Sequence, residues 1–289
     1  MSQVRLLFIV LPSWDSPLLT SRIISSLKKH CCRYSVVKTK EEYFKLEDRH
    51  TYDMIACWGL PGLVKDLVHD QMENSKVFQY MHSLSVGVDE VCGLQSFRES
   101  KIPLTNARGA FSDILAEYVL TGMLYFSKHI EYFQQQKTKS EWKIKSMESM
   151  NTKTLAVVGY GNIGACVAKY AKAAFGMRVI GVNKFPEMVP AEDKKHCDEL
   201  VGLDQYDRAM KEADFILGAL PKMVSTDDFF NWDNCFNKMK KTAVFMNIGR
   251  GTTVDEDDLA HALNSQRIRG AVLDVFKKEP LVKTSKLWY

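Results

Sequence analysis

Along the first third of the chain, short apolar runs alternate with stretches whose apolar residues recur every three or four positions. The runs VRLLFIVLP, YSVVKTK, YDMIACWG and KVFQYMHSLS have the length and apolar character of strands, and LLTSRIISSLKKH has the helical period. This alternation predicts a parallel α/β layer. Phe111, Leu115, Val119, Met123, Phe126 and Ile130 then repeat at spacings of three and four, which predicts one long amphipathic helix. The polar stretch KTKSEWKIKSMESMNTK that follows reads as a linker. A second series starts at TLAVVGYGNIG, continues through an Ala-rich helix to Phe175, and adds RVIGVN, DFILGAL, TAVFMNIGRG and RGAVLDV. The expected fold class is α/β, with two doubly wound parallel-sheet domains.

Composition narrows the class. With 289 residues, 46% of them apolar and 26% charged, the chain can bury two ordinary cores. The longest early apolar run, residues 6–11, is too short to span a bilayer and precedes Pro12 without a cleavage pattern, so no membrane role is expected. The net charge of +4 comes from lysines scattered in ones and twos, with no basic stripe and interleaved aromatics, so nucleic acid is not an expected partner. Seven cysteines without C-x-x-C spacing fit a reduced, cytoplasmic protein, and no metal site is expected.

Gly159-Tyr160-Gly161-Asn162-Ile163-Gly164 follows an apolar strand and opens a helix of small residues, the context that makes G-x-G-x-x-G specific for a dinucleotide. Gly159 permits the tight turn, Gly161 lets backbone approach a pyrophosphate, and Gly164 lets helix pack on strand. The helix N-terminus then faces the negative charge. Where an acidic residue would take the adenine ribose, the sequence has Asn183 and Lys184. Nothing there repels a 2′-phosphate and one cation attracts it, so NADP(H) is preferred, with NAD(H) as the alternative.

At NIGRG (247–251) and LDVFKKEPL (273–281) the chain resembles the D-isomer-specific 2-hydroxyacid dehydrogenase family, and within it the glyoxylate/hydroxypyruvate reductase-like members. SVGVDE (85–90), NARGAFSDILAEYVL (106–120), VVGYGNIG (157–164) and Leu220, Pro221 and Thr226 extend the match. The resemblance implies a flavodoxin-like substrate domain over 1–104, a Rossmann cofactor domain over 105–276, and the start of a return crossover at 277–289. It implies a homodimer, and hydride transfer between NAD(P)H and a small 2-oxo acid. Arg250 matches the arginine that holds the substrate carboxylate and polarises the ketone, and Val86 and Gly87 match the carboxylate-binding loop. Asp274 matches the acceptor of the nicotinamide carboxamide, and Ile248 the residue packed near that ring. Trp58 stands where relatives line the pocket, with a core tryptophan as the alternative. Met223 departs from the threonine that relatives often carry, so a polar contact near the cofactor is expected to be missing.

Glu279 matches the glutamate that hydrogen-bonds the family's general-acid histidine, which in relatives follows in a later PH motif. The sequence has no histidine after His261. The expectation is therefore a shortened reductase that lacks the C-terminal segment completing the first domain. The alternative is a short form that binds dinucleotide, turns over feebly, and acts as a sensor or corepressor-like partner. His82, just before SVGVDE, is the first candidate for a substitute acid, ahead of His129, His196 and His261.

Overall fold

A computed structural model of the chain describes residues 4–9, 17–58 and 62–288. It divides into two compact units, Met1–Gly109 and Ala110–Tyr289. The expected boundary after residue 104 falls inside a strand of the first unit, so the division lies slightly later.

The first unit has strands β1 (Val4–Ile9), β2 (Cys31–Val37), β3 (Met54–Cys57), β4 (Tyr80–Ser83) and β5 (Leu104–Asn106). They form one sheet in the order β2-β1-β3-β4-β5, with every pair parallel. This is the flavodoxin-like order. Its helices are α1 (Pro17–His30), α2 (Lys40–Lys45), α3 (Leu63–Asn74), α4 (Asp89–Gly93) and α5 (Gln95–Glu99). Because side chains alternate across a strand, Leu7, Ile9, Ile55 and Met81 pack with residues of α2 to α5, while Leu6, Phe8 and Ala56 pack with Leu27 of α1. Both faces are covered, which is why the strands read as unbroken apolar runs. Of the early run 6–11, the strand takes the part up to Ile9, and Val10 and Leu11 lie outside the described residues.

The second unit opens with α6 (Ser112–Ser127) and α7 (Ile130–Thr138). The single long helix expected here is broken at His129, whose φ of 51° is left-handed. Arg269 stabilises the break by donating to Phe126 O at 2.6 Å and by lying 3.2 Å from His129 Nδ1. The polar stretch expected as a linker lies within this unit, joining α7 to its first strand. It is tied down by Glu148, which pairs with Lys153 and Arg269, both at 2.5 Å, and by buried Met150.

The strands are β6 (Thr154–Val158), β7 (Arg178–Val182), β8 (Glu199–Val201), β9 (Phe215–Gly218), β10 (Val244–Asn247) and β11 (Gly270–Leu273), all parallel in the order β11-β10-β9-β6-β7-β8. Read in its own sequence, this is the Rossmann order, with the switch point between β6 and β9. Helices α8 (Asn162–Phe175), α9 (Ala191–Lys194), α10 (Tyr206–Glu212) and α11 (Glu256–Asn264) complete the unit. Leu155 and Val157 of β6 face the core shared with α6 and α8, and Ala156 and Val158 face the core shared with α10 and α11. The segment after β11 stays on this unit: Lys277 N–H donates to Glu256 at 2.7 Å, Lys277 pairs with Asp228 at 2.5 Å, and Lys286 pairs with Asp257 at 2.8 Å. Among the described residues, no helix is long and apolar enough to cross a membrane, and no His, Cys, Asp and Glu group could hold a metal ion.

Candidate active site and dinucleotide loop

β6 runs straight into Gly159, whose φ of 92° and whose packing on Ala219, where a Cβ would stand 2.6 Å from the carbonyl oxygen, leave no room for a side chain. The turn is closed by Val182 O, which accepts from the N–H groups of Gly159 and Tyr160, both at 3.0 Å. Gly164 lies against Val157, where a Cβ would stand 2.7 Å from Cγ1. Gly161 differs: it is exposed, and a Cβ there would meet only Gly159 O, at 4.0 Å. The space above it is open beside the first turn of α8, whose N–H groups have no carbonyl one turn back. An anion fits there on charge as well as on shape.

Two expected contacts change character. The Tyr160 side chain is fully buried, its hydroxyl donating to Asp193 O at 2.9 Å, and burial holds its phenol above the usual range, so its side chain packs the loop and does not face a ligand. The Asn183 amide is used by the protein itself: Nδ2 donates to Tyr160 O and Oδ1 accepts from Phe185 N, both at 2.8 Å. That leaves Lys184, exposed, with Nζ 5.3 Å from the Phe185 ring centroid. Asn162 is exposed at the start of α8, its Oδ1 accepting from Ser112 Oγ at 2.7 Å, and Ile163 is half-buried against the core.

The ends of β9, β10 and β11 meet around tight glycine contacts. Gly159 packs on Ala219, and Gly249 packs on Leu220, where a Cβ would lie 2.6 Å from the carbonyl oxygen. The glycine loop and the Arg250 turn therefore share the Ala219–Leu220 peptide as a floor. Thr226 closes the turn after Pro221, its Oγ1 donating to Pro221 O at 2.7 Å and accepting from Met223 N at 3.0 Å. The Met223 side chain is exposed. Ile248 is buried in the core shared with α8.

Arg250 is half-buried and extended, with Nη1 donating to Gly249 O at 2.7 Å. Two fully buried polar residues that the sequence reading passed over hold its backbone. Asn247 donates to Arg250 O at 3.0 Å and accepts from Gly249 N at 3.1 Å, and Thr253 Oγ1 donates to Arg250 O at 2.7 Å. Their signal was an asparagine at the end of an otherwise apolar strand. Gly251 lets the backbone of Phe276 and Lys277 cross directly against it. This crossing sets the 274–279 segment beside the Arg250 turn. Asp274 N–H donates to Asn247 O at 3.0 Å, and Glu279 Oε1 accepts from Phe276 N at 2.9 Å. Asp274 keeps a water-facing edge, but partial burial, aided by the Glu279 charge, raises its pKa.

In the first unit, the loop after β4 has its carbonyls tied and its amides open. Asn106 donates to Val86 O at 2.8 Å and Ser85 Oγ to Gly87 O at 3.0 Å, while no described residue accepts from the N–H groups of Val86 or Gly87. Trp58 follows β3, half-buried, its N–H on Ile9 O at 2.9 Å, and residues 59–61 beside it lie outside the described residues. His82 is on β4, with Nδ1 2.8 Å from Thr105 Oγ1. His261 of α11 packs its ring at a tilt against Trp232, His129 sits at the helix break, and burial lowers the pKa of His196 in the turn after α9.

A Rossmann-ordered sheet, a G-x-G-x-x-G turn at its switch point and an arginine turn sharing its floor define a dinucleotide-dependent oxidoreductase domain. Residues 120–289 match the D-isomer specific 2-hydroxyacid dehydrogenase, NAD binding domain, and the chain belongs to that family. It is 32% identical over 236 residues to a probable 2-ketogluconate reductase of Dictyostelium discoideum, covering 79% of this chain and 68% of that one. It is 28% identical over 273 residues to glyoxylate/hydroxypyruvate reductase B of Klebsiella pneumoniae, covering 92% and 80%. The fold is shared with a D-isomer specific 2-hydroxyacid dehydrogenase family protein from Aeromonas salmonicida, at TM-score 0.81 and 24% identity over 99% of this chain and 86% of that one. It is also shared with an NADPH-dependent glyoxylate/hydroxypyruvate reductase from Sinorhizobium meliloti in complex with NADP and sulfate, at TM-score 0.79 and 22% identity over 99% and 85%.

Proposed function

We propose that the protein is an NADPH-preferring reductase of small 2-oxo acids of the glyoxylate/hydroxypyruvate class, yielding the 2-hydroxy acid. The observation that carries this reading is the Arg250 turn, held by buried Asn247 and Thr253 and floored by the same peptide as the glycine loop. The dinucleotide, when bound, supplies the hydride. The open face of Gly161 and the first turn of α8 fit its pyrophosphate. Lys184, with no carboxylate in the place of Asn183, favours the 2′-phosphate.

Arg250 holds the substrate carboxylate and withdraws electron density from the ketone, because a guanidinium is always charged and presents a planar fork of donors. The Val86 and Gly87 amides of the first unit suit a carboxylate as well. Asp274 accepts from the nicotinamide carboxamide and Ile248 backs the ring. Glu279 uses Oε1 on Phe276 N, which leaves its other oxygen to accept from a further N–H donor. Exposed Trp142 and Ile144, on the segment after α7, support a homodimer, and the free thiols of Cys31, Cys57, Cys92, Cys166, Cys197 and Cys235, among the described residues, support a reducing, cytoplasmic setting.

The test is NADPH oxidation with glyoxylate and with hydroxypyruvate, followed for the wild type and Arg250→Gln. The substitution is expected to lower kcat/KM by about 10²–10³-fold, the usual loss when one preorganised donor to a developing oxyanion is removed. An unchanged rate in Arg250→Gln, or no oxidation with any 2-oxo acid, overturns the reading.

A further inference from the structure

β11 is the edge strand of its sheet, so one side of it has no strand to bond. Asp274 N–H points inward to Asn247 O, and alternation therefore turns the Leu273 carbonyl outward. That carbonyl accepts from the Tyr118 hydroxyl of α6 at 3.1 Å. Tyr118 belongs to a register between helix and strand. One turn on, Gly122 lies against Val272, where a Cβ would be 2.8 Å from Cγ2, and one further turn on, Phe126 fills the space left by Gly270. Residues 118, 122 and 126 share a helix face, and they meet 273, 272 and 270 in descending order. The close approach at the two glycines brings the Tyr118 hydroxyl to the strand end, while its ring stays partly exposed.

We propose that Tyr118 is a positioning residue for the dinucleotide: it clamps the Leu273 carbonyl from the open edge and thereby fixes where the next residue, Asp274, presents its carboxylate to the nicotinamide carboxamide. This rests on the cofactor reading above. Asp274 is held from one side by its N–H on Asn247, and without Tyr118 the peptide before it loses the hydroxyl that its carbonyl bonds on the other side. Burial and the nearby Asp274 charge both keep the phenol protonated, and so a donor.

Tyr118→Phe keeps the ring and removes the hydroxyl. Calorimetry would compare NADP⁺ with its 3-acetylpyridine analogue, whose acetyl group has no N–H to give Asp274, on the wild type, Tyr118→Phe, Asp274→Ala and the double variant. The expected result is that Tyr118→Phe weakens NADP⁺ by about three- to tenfold, the worth of one hydrogen bond, leaves the analogue unchanged, and adds nothing in the Asp274→Ala background. A purely structural tyrosine would weaken both dinucleotides alike, and that result, or no loss at all, overturns the inference while the cofactor reading stands. If the wild type binds neither dinucleotide, the cofactor reading and the inference fall together.

Discussion

Gly159 and Gly161 stand two positions apart and respond differently to a side chain. Gly159→Ala forces a left-handed residue against Ala219 O and is expected to cost roughly 1–3 kcal/mol of stability. Gly161→Ala meets nothing closer than 4.0 Å in the protein, so its thermal midpoint should match the wild type, while NADP⁺ affinity falls about tenfold or more as the methyl takes the space of the pyrophosphate. Thermal melts and calorimetry on the two variants separate these outcomes, and a Gly161→Ala protein that binds normally removes the loop from the site. The motif made these glycine roles readable in advance. The inward Tyr160, the Asn183 amide spent on Tyr160 O and Phe185 N, and the Asn247 support of Arg250 were not readable, because each depends on a neighbour supplied by folding.

At the scale of elements, the strand end of β11 carries a pH dependence. As an acceptor of a carboxamide N–H, Asp274 is fully effective when ionised, so affinity is complete above its pKa and falls as pH drops through it. Partial burial, then the Glu279 charge, raise that pKa, so the loss begins at a higher pH than for an ordinary aspartate. Glu279→Gln removes the second cause and should move the acid limb of the NADP⁺ affinity profile to lower pH. The difference between the two proteins is the readout, since the 2′-phosphate titrates equally in both. Coincident limbs would show that Asp274 and Glu279 do not communicate. The long, apolar strands and α8 were legible from their period and from the glycine loop. β5 and β8 were not, being three residues each and too short to show a period. Nor was the break at His129, since the side chain that caps it, Arg269, arrives from the far end of the unit.

For the whole molecule, two parallel sheets covered on both faces account for the α/β pattern, and both strand orders agree with the fold class that the alternation of runs predicted. The polar stretch after α7 misled because surface polarity alone does not mark a boundary: it is anchored by Glu148 and Met150 inside the second unit. The claim that ties this architecture to function is that the second unit holds a dinucleotide and prefers the phosphorylated one. Titrating the chain with NADPH and with NADH by calorimetry, beside Lys184→Ala, tests it most directly. NADPH is expected to bind more tightly, with Lys184→Ala losing up to about fivefold of that preference, the worth of one exposed ion contact. Tighter binding of NADH, or no binding of either, would contradict it.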